Sequence, residues 1–192
     1  MVAMTPRLVA MLLCASLLPA VQAKAKTTLP DACGDDSVQF DVTTKKNQPV
    51  PAPPPAGKAQ IVFVETMNKP PICLKCDMTA RYGIDGSWVG SNKGSSYFIV
   101  EVDPGVHHLC VSPENRSRLL QKDAEVTSVT TEAGKTYYYE ATITYAVYGT
   151  NGPEGTSTGG GASLSFVFSQ LSEDEGKYRV KAWTPVSSKP KK

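Results

Sequence analysis

SSYFIVEVDPGVHHLCVS, residues Ser95 to Ser112, sets two runs of strand composition on either side of Asp103-Pro104-Gly105. That triplet reads as a turn, because proline presets φ at the first corner and glycine tolerates φ > 0 at the next. In the first run Phe98, Val100 and Val102 fall on one face and Tyr97, Ile99 and Glu101 on the other; in the second, Leu109 and Val111 alternate with His108 and Cys110. The expectation is a β-hairpin around which a small β-domain is built.

Before it, Gln60 to Glu65 (QIVFVE) is apolar on both faces, as a central strand covered on two sides would be. Ala80 to Ile84, Asp85-Gly86 and Trp88-Val89-Gly90 read as strand, tight turn and return, a second hairpin. After it come a strand over Glu125 to Thr131, a turn at Ala133-Gly134 and a long strand over Lys135 to Tyr148. There Tyr137, Tyr139, Ala141, Ile143, Tyr145 and Val147 share the face expected to be core. Tyr138, Glu140, Thr142, Thr144 and Tyr148 share the face expected to be wet. Gly149 to Gly161 reads as a loop, and Leu164, Phe166 and Phe168 as a last strand. Ser172 followed by Glu175 has the spacing of a capping box, which predicts a short helix to about Lys181 despite Gly176. About eight short strands separated by turn signals predict an all-β fold, a sandwich of two antiparallel sheets, with a short C-terminal helix.

The division of the chain follows from composition. Residues 1–23 read as a signal peptide: Arg7, an apolar run from Leu8 to Leu18, and a small residue, Ala23, at the cleavage point. Residues 24–56 read as a flexible arm rich in proline, in which Val38, Phe40 and Val42 are spaced for one edge strand. The β-sandwich domain is expected over 57–183 and a basic disordered tail over 184–192. The leader's apolar run is shorter than the roughly 20 residues that spanning requires, so no transmembrane segment is expected. Cys14 follows Leu13 where lipid attachment wants a small residue, so no lipid anchor is expected either. A net charge of +2 with both signs interspersed carries no nucleic-acid footprint.

Removal of the leader leaves Cys33, Cys73, Cys76 and Cys110. In an oxidising compartment four cysteines suggest two disulfides, with three connectivities open. Cys76 with Cys110 and Cys33 with Cys73 is the pairing favoured, since the second bridge would tie down the arm. Two chemical alternatives use the same residues. Cys73-Leu74-Lys75-Cys76 has the spacing of a thiol redox pair but lacks the strand-to-helix setting that activates one. Cys73, Cys76 and Cys110 with His107 or His108 would make four zinc ligands only if the thiols stayed reduced. His107 and His108 near Asp103 lack a nucleophile elbow, so one histidine is expected to hydrogen-bond at the strand start and the other to face water. No catalytic residue, cofactor or metal is assigned. Asn115-Arg116-Ser117 matches a glycosylation acceptor. Tyr138 and Tyr148, on the wet face, are the candidate binding residues, since tyrosine offers rigid contact area with a polar handle.

Gly57 to Val64, Ile84 to Gly90, Tyr97-Phe98 with Val102-Asp103-Pro104-Gly105 and His107, and Ala133 to Tyr139 together resemble the family named domain of unknown function 2846, over roughly Gly57 to Leu171. The Pro-Gly-x-His turn also resembles PEGA modules. The resemblance implies an exported or envelope-attached bacterial protein without assigned catalytic residues. The expectation is therefore a periplasmic or secreted module, not an enzyme, with a binding or structural role toward an envelope protein or glycan; the alternative is a metal-binding or thiol-redox protein using Cys73, Cys76 and Cys110.

Overall fold

The computed structural model describes residues 30–45, 51–68, 78–114, 124–150 and 158–192, with backbone alone at 145–150 and 158–165. The expected signal peptide over residues 1–23 with Cys14, and Cys73, Cys76 and Asn115-Arg116-Ser117, lie outside the described residues.

The chain is all-β, in two sheets, with one helix among the described residues. In chain order the elements are β1 (Phe40–Thr44), β2 (Ala59–Asn68), β3 (Thr79–Ile84), β4 (Ser87–Lys93), β5 (Ser96–Val102), β6 (Gly105–Pro113), β7 (Glu125–Thr131), β8 (Thr136–Thr150), β9 (Thr158–Leu171), α1 (Glu173–Ala182) and β10 (Thr184–Pro190). One sheet has the order β1-β10-β5-β2-β8-β9 and the other β4-β3-β6-β7. The four-stranded sheet is antiparallel throughout. The six-stranded one is mixed, because β2 runs parallel to β8 and β10 parallel to β5. A purely antiparallel sandwich is thus corrected to a mixed one.

β2 is the central strand that its apolar run predicts, with every residue from Ala59 to Met67 buried. Its two faces serve two interiors. Ile61 and Phe63 point between the sheets, where Phe98, Tyr82, Leu109, Val111, Tyr139 and Ala141 meet them, with Val100, Phe166 and Phe168 at the margin. Ring centroids 4.9 Å apart for Phe63 and Tyr82, and 5.4 Å for Phe63 and Phe98, mark the centre of that core. Val62 and Val64 point the other way, toward α1.

The hairpin expected at Asp103-Pro104-Gly105 is not formed. β5 pairs with β2 and β10, β6 pairs with β3 and β7, and the turn is a corner that carries the chain from one sheet to the other. The apolar faces dictate it: as an arch the two strands turn Phe98 and Val102 toward Leu109 and Val111 across the core, whereas a hairpin would align them side by side. The β3–β4 hairpin does form, and Asp85 (φ 50°) and Gly86 (φ 82°) make its two-residue turn with positive φ at both positions, as the right-handed twist of paired strands prefers.

Both termini of the domain extend beyond their expected limits. Residues 184–190 form β10 instead of a tail, inserted between β1 and β5, with Val186 buried in the main core. The arm is likewise docked. In β1 Val42 packs on the core and Phe40 is buried, and residues 30–38 lie against the outer side of the β3–β4 hairpin. The long loop expected over 149–161 is shorter, since β8 and β9 pair out to Thr150 and Thr158.

Candidate binding surface

The outward face of β8 was expected to be wet, and the structure covers it with α1. The helix starts at Ser172, whose hydroxyl accepts from the Glu175 N–H while the Glu175 carboxylate accepts from the Ser172 N–H at 3.1 Å, the capping box predicted from the spacing. Glu173, Asp174 and Glu175 in the first turn and Arg179 and Lys181 in the last complement the helix dipole. Beneath it lie Val62, Val64, Tyr97 and Tyr138, met by Val180, Leu171, Ile99 and Trp183. Tyr138 is only 9 % exposed. Its assignment to an open face is therefore corrected: it is the floor of a second core. Burial pushes its phenol pKa up, with Lys177 opposing and Glu173 adding to the shift. Tyr148 is described only by its backbone, opposite Gly161.

The polar residues of that face are absorbed by the same lid. The Trp183 indole donates to Thr66 Oγ1 at 2.9 Å, Thr66 donates to Glu140, and Arg179 Nε lies 2.7 Å from the Glu140 carboxylate. Glu140 looks solvated in sequence because its charged partner, Arg179, comes from a helix some 40 residues on. The seat of α1 is not flush everywhere. Pro51 from the arm and Tyr138, Asp174, Lys177, Tyr178, Val180 and Lys181 surround a groove of about 510 Å³. Tyr178 stands on its rim, 64 % exposed. Tyr178 carries no strand periodicity and was missed; only its place on the outer side of a capped helix marks it.

The one His–Asp arrangement among the described residues is closed. His107 Nδ1 lies 2.7 Å from Asp85 Oδ2, and its Nε2 lies 2.8 Å from the Asp103 carbonyl. That carbonyl also accepts from Thr131 Oγ1, and Asp85 Oδ1 accepts the His108 N–H. Both imidazole nitrogens face acceptors, so the doubly protonated ring satisfies the site best. Burial pulls the His107 pKa down, but the bonds to the Asp103 carbonyl and Asp85 outweigh it and the net shift is upward. Burial also opposes ionisation of Asp85, and the His108 N–H and His107 overcome it, so its pKa is lowered. With neither nitrogen left to take a proton from a substrate, the cluster is a brace across the β5–β6 corner and the β3–β4 turn. His108 faces solvent, as expected.

Cys110 is bridged to Cys33, with Cα atoms 5.2 Å apart and a sequence separation of 77. This replaces both expected pairings, Cys76 with Cys110 and Cys33 with Cys73. The docked arm explains it. Arg81 Nη1 donates to the carbonyls of Asp36 (2.9 Å) and Val38 (2.7 Å) and stacks 4.4 Å over Trp88, whose indole donates to the Asp35 carbonyl at 2.7 Å. Gly86 N–H reaches the Ala32 carbonyl, so Cys33 is brought over the outward side of β6. Cys110 in a bridge is also removed from any thiolate ligand set. No group of three or more potential metal-ligating side chains occurs among the described residues.

These features define a disulfide-bridged two-sheet β-sandwich with a helix seated on one face. No family model, curated protein or solved structure matches the chain. No helix among the described residues is long and apolar enough to cross a membrane.

Proposed function

We propose that the chain is an exported module of the cell envelope whose role is binding or structural and not catalytic. The observation that carries this reading is the Cys33–Cys110 bridge. Disulfides persist in oxidising compartments, and this one clamps an arm that holds few large apolar residues of its own. The leader-like sequence of residues 1–23 and the resemblance to the domain of unknown function 2846 family point the same way. The occupied nitrogens of His107 support a non-catalytic reading. The groove between Tyr138, Tyr178 and Pro51 offers aromatic and apolar contact bordered by Lys177 and Lys181, a setting suited to an envelope protein or glycan.

Intact mass of the protein recovered from cells tests this, before and after reduction and alkylation. The expected product begins at Lys24 and takes up no alkylating agent at Cys33 or Cys110 until reduced. Recovery with residues 1–23 attached and both thiols free in native cells would overturn the reading.

A further inference from the structure

The strand edges of the two sheets are not equally protected. β1 is five residues long, carries Asp41, and has its Phe40 N–H taken by Glu114 at 2.8 Å. β7 is seven residues long and opens on Glu125; β4 ends on Lys93 and lies against β1, β5 and β10. β9 differs from all of these. It runs for 14 residues, TGGGASLSFVFSQL, with neither a charged residue nor a proline, and stands at the end of the six-stranded order. Among the described residues no strand pairs with its outer side. Its register against β8 is regular from Leu171 to Gly161, the one shift falling near the tip between Tyr148 and Thr150. Natural sheets blunt an edge with lysine, proline, a bulge or a covering element, because a row of unpaired backbone groups is a template for another strand.

β9 also belongs to a ribbon that outruns its sheet. β2 pairs with β8 only as far as Asn68 opposite Thr144. Among the described residues, β8 from Tyr145 to Thr150 has β9 as its sole ladder partner, a two-stranded extension of roughly 20 Å at about 3.3 Å per residue. Two-stranded ribbons are marginal in water until further strands join them.

We propose that β9 is a self-association edge, at which two copies of this chain pair their β9 strands antiparallel about a two-fold axis. The sequence favours a second copy as occupant. Antiparallel self-pairing sets a strand against its own reverse, so any charge would face its symmetry mate or a near neighbour, and β9 has none. Val167, 55 % exposed on the outward face, is placed beside the seam and would be shielded by the partner strand. This goes beyond the proposed envelope role and stands or falls without it.

The test is sedimentation of the oxidised protein over a wide concentration range, with Val167→Lys and Val167→Thr alongside. The wild type and Val167→Thr are expected to reach twice the mass of one chain, while Val167→Lys stays at the mass of one with its melting temperature unchanged at dilution. Amide exchange in the wild type gives a second reading: protection between Gly161 and Leu171 is expected to rise with protein concentration. A wild type that remains monomeric, a dimer indifferent to Val167→Lys, open-ended assemblies instead of a closed pair, or β9 protection independent of concentration would each overturn the proposal.

Discussion

Gly176 lies so close over the ring of Tyr138 that a Cβ on it would stand 2.1 Å from the ring's Cγ. Glycine in mid-helix ordinarily costs about 1 kcal/mol against alanine. Here it is the residue that lets α1 sit on the sheet, so Gly176→Ala should invert the usual sign. Overpacking of about 1–3 kcal/mol exceeds the gain in helix propensity, and the melting temperature should fall. In a Tyr138→Ala background the same change should become stabilising, because the clash is gone. A cycle in which Gly176→Ala has one sign in both backgrounds would contradict the close seat.

Tyr138→Ala itself distinguishes a core residue from a contact residue. Loss of a buried aromatic side chain should cost about 3 kcal/mol, read from the denaturant midpoint. An unchanged midpoint would return Tyr138 to an open face. Tyr178→Ala, on the exposed rim of the groove, should leave stability within about 0.5 kcal/mol.

Closing a loop with a sequence separation of 77 between Cys33 and Cys110 restricts the unfolded chain, and the double variant Cys33→Ala/Cys110→Ala should lose roughly 4 kcal/mol. Chemical denaturation with and without reductant measures it: the wild type should be weakened by reductant and the double variant should not respond through this bridge.

His107 and Asp85 make stability depend on pH from both sides. The His107 pKa is raised above its ordinary 6.5, so its contribution is complete below that value and is lost as pH rises through the shifted one. The Asp85 pKa is lowered from its ordinary 3.8, so its contribution is present above that value and is lost as pH falls through the shifted one. The brace is therefore fully formed between about pH 4 and 6.5. An imidazole titration by NMR should place the His107 midpoint above 6.5, and Asp85→Asn, which keeps the turn's positive φ, should bring it down. A wild-type midpoint at or below 6.5 would show that the doubly bonded ring is not charged.

Arg81 and Asp36 should behave unequally although they form an ion pair at 3.2 Å. The Asp36 side chain is largely in water, so Asp36→Ala should cost little beyond about 0.5 kcal/mol. The Arg81 side chain is buried and serves the Asp36 and Val38 carbonyls, so Arg81→Met should cost about 1–3 kcal/mol and expose the arm to trypsin at Lys45. Equal effects would place the energy in the ion pair and not in the carbonyl clamp.

The elements readable from sequence are those governed by near neighbours. Period-two burial put Phe98, Tyr139 and Phe166 into one interior, Ser172 and Glu175 announced their helix, and Asp85-Gly86 its turn, because each signal lies within a few residues. The Asp103-Pro104-Gly105 corner was misread for a physical reason: turn chemistry fixes a reversal of the chain and says nothing about whether the next strand rejoins the same sheet. Glu140 and Thr142 made their face look solvated, since the Arg179 and Trp183 that cover it belong to a distant helix. The strand at 184–190 holds two prolines and one buried anchor, Val186, so local composition argued for a tail. Cys33 found Cys110 through Arg81 and Trp88, residues whose reach across the arm no spacing rule encodes. Tyr178 left no signal beyond helix position.

Phe40 is registered opposite Pro190, and β10 separates β1 from β5. A polypeptide emerging N-terminus first can assemble no more than part of this sheet; its first strand has nothing to lean on until the segment that splices it to the rest arrives. Such long-range pairing makes folding slow. It also leaves the six-stranded sheet in two unjoined pieces until residues 184–190 are in place, so that one late splice closes it.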